Sequence, residues 1–214
     1  MFSAHDLVSL TCESVQTVDS DDLAYLAATG KIELPIRDLL GALITKKYPN
    51  LTAAREFQRR DLAILKNGSP IALIEGKLWI SFEANFRSKL HNPNPKEGLI
   101  AASKSDILKM AEVHRSTGCL RFISTVLFAA DIRDLDLRHL PAVKYPNWHR
   151  RGLVDLADFE DAHSSGVQKY VNAMLPHGST VSSRLFEGSV YGMRVLADVV
   201  ICEVMGRTND PVNA

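Results

Sequence analysis

Arg60-Asp61-Leu62-Ala63-Ile64-Leu65-Lys66-Asn67-Gly68-Ser69-Pro70-Ile71-Ala72-Leu73-Ile74-Glu75-Gly76-Lys77 holds two apolar, strand-like runs with a cluster of turn formers between them. Residues 61–66 and 70–78 are the runs, and Lys66-Asn67-Gly68-Ser69-Pro70 is the turn cluster. A hairpin centred on Gly68 sets Asp61 opposite Glu75, because cross-strand partners are symmetric about the turn. Strand side chains alternate between faces. Asp61, Glu75 and Lys77 are therefore expected on one face, with Leu62, Ile64, Ala72, Ile74 and Leu78 on the other.

Carboxylates facing each other across two strands, with β-carbons about 4.5–5.5 Å apart, destabilise the pair unless something offsets their charge. A hard divalent cation such as Mg²⁺ does so. It prefers carboxylate oxygen and water, and often takes only one or two side chains while the substrate completes its shell. A lysine two residues beyond Glu75 can position a water or stabilise negative charge building up on an attacked phosphate.

Asp61, a gap of thirteen residues and then Glu75-Gly76-Lys77 resemble the signature of the PD-(D/E)XK nuclease superfamily, the restriction-endonuclease-like fold. The resemblance implies that Asp61 and Glu75 bind Mg²⁺, with Mn²⁺ as a substitute, that the backbone carbonyl of Gly76 adds a ligand, and that Lys77 assists the nucleophilic water. It also implies an acid from the first helix, for which Glu33 in Ile32-Glu33-Leu34-Pro35 is the matching residue; an acid favoured by a helix dipole accounts for Glu33 equally well. Arg60 stands where the family's name has proline. Glu56 and Gln58 are weaker candidates for the acidic cluster. Lys104, Asp106 and Lys109 are similar to polar positions that face the site in related proteins, and a solvated helix face also explains them.

The elements around the hairpin follow the same order. Residues 33–48 carry Leu34, Ile36, Leu39, Leu40, Leu43 and Ile44 at helical spacing, with Pro35 suited to the first turn. A short strand is expected at 52–58, a polar loop at 87–98 and an amphipathic helix at 99–113. Residues 120–130 read as a strand buried on both faces. The expected fold is thus α/β, a restriction-endonuclease-like αβββαβ core with a mixed central sheet flanked by helices, followed by a C-terminal helix and strand extension. A single domain is expected over 1–214, with the core at 30–130 and the elaboration at 131–207.

A chain of 214 residues and 46% hydrophobic content can bury a substantial core. No apolar run approaches the roughly 20 residues of a membrane span, and Met1-Phe2-Ser3-Ala4-His5-Asp6 lacks the basic start and apolar stretch of a signal peptide, so a cytosolic location is expected. Cys12, Cys119 and Cys202 are odd in number and widely spaced, which argues against a disulfide framework or a structural zinc site and for reduced thiols. Twenty-five basic residues balance twenty-five acidic ones, so any nucleic-acid contact has to be local. Lys46, Lys47, Arg55, Arg59, Arg60, Arg87, Lys89, His91 and Lys96 gather near the hairpin in sequence and suit phosphate contacts, or are ordinary surface charge.

Towards the C-terminus, residues 130–151 form a connection whose Tyr145-to-Arg151 tip carries Trp148 between basic residues; packing accounts for Trp148 better than base stacking. A helix is expected at 155–175, where Asp158, Glu160, Asp161 and His163 fit acids at a helix start better than a second metal site. Strands follow at 182–187 and 189–204, then a frayed tail at 208–214. A short capped helix is expected at 19–30. Ile71 stands where a phosphate loop needs its first glycine, and neither a Gly-x-Ser-x-Gly turn nor a Gly-x-Gly-x-x-Gly fingerprint occurs.

The expected activity is that of a Mg²⁺-dependent deoxyribonuclease of endonuclease type, acting without a membrane on DNA, or alternatively RNA, as a single chain or a homodimer. The rival reading is a non-catalytic nucleic-acid- or protein-binding module with the same fold. A third is a plain cross-strand ion pair of Asp61 with Lys77.

Overall fold

The computed structural model describes residues 2–84, 99–112, 118–144, 146 and 158–205; the loop expected at 87–98, most of the 145–151 tip and the 208–214 tail lie outside them. Asn67 and Gly68 both take positive φ, 52° and 78°, which makes a two-residue turn whose twist suits antiparallel strands. It joins β2 (Arg60–Lys66) to β3 (Ser69–Ile80). Next to the turn Leu65 pairs with Pro70, and beyond a bulge at Ile64/Leu65 the pairs become Ile64 with Ala72 and Leu62 with Ile74. Pro70 has no N–H to give a ladder, which favours an irregularity beside it. Past the bulge the register is the one that a hairpin centred on Gly68 predicts.

Strand β1 (Leu51–Phe57) pairs antiparallel with β2 through a second two-residue turn, Gln58-Arg59. Both turn residues have positive φ, 51° and 65°, without glycine at either place. On its other edge β3 runs parallel to β4 (Leu120–Asp131), the only parallel pair among the described residues, and β4 runs antiparallel to β6 (Met193–Val204). The outer strand is β5 (Gly178–Val190), so the six-stranded mixed sheet is ordered β1-β2-β3-β4-β6-β5.

Helices α1 (Ala4–Val15), α2 (Ser20–Thr29) and α3 (Glu33–Lys47) pack on one face. Their Leu7, Leu23, Ile36 and Ile44 join Leu62, Ile74, Val126 and Val199 of the strands in the larger core. On the opposite face lie α4 (Leu99–Glu112) and α5 (Phe159–Met174), whose Ile107, Met110 and Tyr170 pack with Leu73, Ile123 and Val200. Strand β4 feeds both cores, as its near-continuous apolar sequence requires. Among the described residues no helix is long and apolar enough to cross a membrane.

Three elements differ from expectation. Helix α1 is additional: Ser3 and Asp6 form a reciprocal capping box ahead of buried Leu7, Val8, Thr11 and Val15. The last hairpin turns at Tyr191-Gly192, φ 54° and 80°, and not at Gly188. Gly188 stays inside β5 because a Cβ there would stand 2.2 Å from the carbonyl oxygen of Ser20, so α2 packs directly on the strand backbone. Strand β5 is also longer than expected, beginning at Gly178.

Candidate active site

Glu33 opens α3, with Ile32 ahead of it supplying no side-chain cap and Pro35 in the first turn. Its Oε2 is buried and has no hydrogen-bond partner. The helix start points this residue at a cavity of about 20 Å³, lined also by Arg37, Asp61, Gly76 and Ser124, enough space for a single water-sized occupant. Asp61 accepts a 2.6 Å hydrogen bond from the amide of Gly76. A Cβ on Gly76 would lie 3.3 Å from Asp61 Oδ2, so the bare glycine leaves that carboxylate its place.

Glu75 and Lys77 share the other face of β3, as expected, and join there at 3.0 Å. The second partner of Lys77 is Asp106 of α4, at 3.2 Å, and Asp106 is held in turn by Lys109 at 3.1 Å. Burial works against the charge of Lys77, but the hydrogen bond and charge of Glu75, joined by Asp106, outweigh it and hold the ammonium above the ordinary lysine value. The remaining oxygen of Glu75, Oε2, is buried without a hydrogen-bond partner and lies 3.6 Å from Nη1 of Arg60.

Asp61 is therefore placed differently from the face-sharing expectation. Its carboxylate lines the cavity on the α3 side with Glu33, whereas Glu75 and Lys77 reach towards α4. Two local features explain the departure. The β2–β3 ladder ends at Leu62 with Ile74, so Asp61 sits one residue beyond the last pair. It also follows the left-handed Gln58-Arg59 turn, where strict pleat alternation no longer governs side-chain direction.

Of the weaker candidates, Glu56 is turned out to solvent and paired with Arg37 at 2.7 Å, and Gln58 forms the turn. Lys104 and Lys109 are exposed on α4, while Asp106 faces Lys77. Of the basic residues, Lys47 pairs with Glu13 and Arg55 with Asp38, and Arg87, Lys89, His91 and Lys96 lie outside the described residues.

No protein-family model, curated protein or solved structure matches the chain. The chemistry of the site rests on its own residues.

Carboxylate oxygens are the donors that a hard divalent cation takes, but the structure divides them: Glu33 and Asp61 line the cavity on the α3 side and Glu75 faces α4. The donors are carboxylate oxygens, and two of them, Glu33 Oε2 and Glu75 Oε2, are buried with no hydrogen-bond partner. An orphaned buried acceptor costs about 1–3 kcal/mol, more when charged, and calls for a missing partner. Among the described residues no group of three or more His, Cys, Asp or Glu is arranged to hold a metal ion. The fit is accordingly to an ion that takes one or two protein carboxylates, with water and substrate oxygens completing its shell.

A further polar group joins His163 to residues with which the sequence did not connect it. His163 of α5 is fully buried, with Nδ1 2.7 Å from Ser81 Oγ and Nε2 2.5 Å from Asp198 Oδ2, which also accepts from Arg184 at 2.9 Å. Ser, His and Asp in contact have the composition of a hydrolytic triad, yet Ser81 is as buried as His163, so the group pins α5 to β6 and the end of β3. Its legible signals were His163 among the acids of the helix start and Asp198 interrupting an apolar strand. The acids beside it behave as expected: Asp158 caps α5 and accepts from the amides of Glu160 and Asp161.

Proposed function

We propose that the protein is a metal-dependent nuclease of restriction-endonuclease-like type that hydrolyses phosphodiester bonds in DNA. The observation that carries this reading is the buried carboxylate oxygen of Glu33, without a hydrogen-bond partner, in the cavity that Asp61 and Gly76 also line, with Asp61 hydrogen-bonded to that glycine and Glu75 next to it in the chain. The element order α3-β1-β2-β3-α4-β4 supports it, since it is the αβββαβ order of the resembled family.

Asp61 and Glu75 would be the two carboxylates that hold Mg²⁺, with the Asp61 side chain turning from the cavity it lines towards Glu75 and the Gly76 carbonyl adding an oxygen. The ion would polarise the phosphate and lower the pKa of a bound water. Hydrolysis forms a bond from water oxygen to phosphorus and breaks one P–O bond to a sugar, the leaving oxygen taking up a proton. Lys77, ion-paired with two carboxylates, acts as an ammonium: it donates a hydrogen bond to the water or to a phosphate oxygen and stabilises the charge that builds up there. Asp106, 3.2 Å from that ammonium, helps to hold it beside Glu75.

A second reading draws on the same ion pairs. Lys77 closed between Glu75 and Asp106 is what a non-catalytic binding module of this fold would retain for stability. Incubation of supercoiled DNA, and in parallel of RNA, with the purified protein and Mg²⁺ or Mn²⁺ separates the two. The nuclease reading expects cleavage that Lys77→Ala abolishes while the circular dichroism spectrum stays that of the wild type. Cleavage unchanged in both Lys77→Ala and Asp61→Ala proteins would remove the site assignment.

A further inference from the structure

Strand β3 begins at Ser69, but its ladder with β4 begins only where Ala72 meets Leu120, so Pro70 and Ile71 project beyond that ladder at the end of the sheet. The neighbouring elements leave this end open. Helix α3 stops at Lys47, and Tyr48 turns the chain into β1, its carbonyl accepting from the Leu51 amide at 2.9 Å. Phe2, ahead of α1, meets the Tyr48 ring edge to face with centroids 5.7 Å apart. Between these parts lies a cleft of about 700 Å³, lined by Phe2, Tyr48, Leu51, Pro70, Ile71 and Leu120. Small-molecule sites have volumes of about 300–1,000 Å³ and a mostly apolar lining with a few placed polar groups.

Two of the charged side chains at the cleft are already engaged. Asp6 closes the capping box with Ser3 at the positive end of α1, and Lys47 pairs with Glu13 at 2.6 Å. Burial raises the Cys119 thiol above its usual value, so it adds no charge. Lys66, exposed at the end of β2, has no ion-pair partner among the described residues. An uncommitted cation thus stands at the rim of an apolar, ring-lined space.

We propose that this cleft binds a free small organic monoanion, its apolar ring body seated against Phe2, Tyr48 and Leu120 and its carboxylate or sulfonate group on Lys66. Aromatic rings offer such a body edge-to-face or offset contact. A more highly charged ligand would leave charge unmatched against the apolar lining and would meet Asp6 as well. An uncharged one would leave Lys66 unused. The site stands apart from the nuclease reading, because Lys66 lies at the opposite end of β2 from Asp61, about 16 Å along the strand.

Fluorescence titration of the full chain tests this with anilinonaphthalene sulfonate, a ring body with one anionic group, and with phenylnaphthylamine, the same rings without the charge. Wild type is expected to take up the sulfonate at one site per chain, about fivefold more tightly than the uncharged probe, as one exposed ion pair supplies. Lys66→Gln is expected to lose that preference while its affinity for the uncharged probe changes by less than about twofold. Its side chain is exposed, so the fold tolerates the change. Ile71→Asp sets a charge in the apolar lining and should weaken both probes about tenfold or more. The sulfonate should also raise Tm, since a ligand of the native state stabilises it by mass action. Lack of saturable uptake in wild type, sulfonate affinity unchanged in Lys66→Gln or in Ile71→Asp, or a Tm lowered by the probe, the mark of binding to unfolded chain, would each overturn the proposal.

Discussion

Gly76→Ala separates the stability of the fold from the chemistry of the site. The added methyl would meet only Asp61, with Oδ2 at 3.3 Å and Cγ at 3.9 Å, so the carboxylate has to give by a few tenths of an ångström. Replacing a glycine inside a strand recovers about 0.5–1 kcal/mol of backbone entropy. Against this stands a weakened 2.6 Å bond from the Gly76 amide to Asp61, of a type worth about 1.5–3 kcal/mol when lost outright. A partial loss leaves the net change within about 1 kcal/mol, or about 2–4 °C in Tm for a chain of this size. If the cation of the proposed function binds beside Asp61, the effect on it is larger, because the methyl enters a cavity of about 20 Å³ and displaces that carboxylate. Disturbing the support of a metal ligand typically costs about 10–100-fold in affinity. Differential scanning calorimetry and Mn²⁺ titration on the same preparation read the two effects. Unchanged Mn²⁺ affinity at unchanged Tm would falsify the placement of the cation beside Gly76, and a fall in Tm beyond about 8 °C would contradict the open space around it.

Two further predictions concern the buried polar group. His163→Leu leaves buried Ser81 without its partner and Asp198 with Arg184 alone, at roughly 2–4 kcal/mol, so Tm should fall by about 4–16 °C. A drop below about 2 °C would mean that the group does not pin α5. Burial pushes the Asp198 carboxyl up, but the hydrogen bond and charge of His163, with those of Arg184, outweigh it and hold the group below the ordinary carboxylate value. A depressed carboxylate stabilises the fold above its unfolded pKa near 4 and loses that contribution as pH falls through its lower folded value. Chemical denaturation between pH 5 and about 2.5 should therefore show a steeper acid loss in wild type than in Asp198→Asn, and parallel curves would count against the assignment.

The strand order around the candidate site was legible because hairpin signals are local. Asn67-Gly68 names its own turn, and the alternation of Leu62, Ile64, Ala72 and Ile74 identifies the core face. The direction of the Asp61 carboxylate was not legible, since it depends on where a ladder stops and on a turn made by Gln58-Arg59, two residues with no turn preference of their own. Gly188 misled for a related reason. A glycine in an apolar run reads as a breaker, but here it marks the approach of the Ser20 backbone, a contact 168 positions away in the chain. The capping box at Ser3 and Asp6 was readable and would have placed α1. The union of His163, Ser81 and Asp198 was not, because nothing local links a helix, a strand end and a distant strand.

The parallel junction of β3 with β4 has a consequence for the order in which the chain emerges. Strands β1 to β3 are contiguous and joined by two-residue turns, so the meander can form as soon as Ile80 is made. The strand that covers the far edge of β3 begins at Leu120, after the whole of α4. In that interval a twelve-residue apolar strand presents an open edge, the feature by which nascent chains pair wrongly with one another. Glu75 and Lys77 lie in the middle of that edge strand, and charges so placed deter edge-to-edge association. The same two side chains thus guard the unfinished sheet before Asp106 of α4 is in place to pair with Lys77.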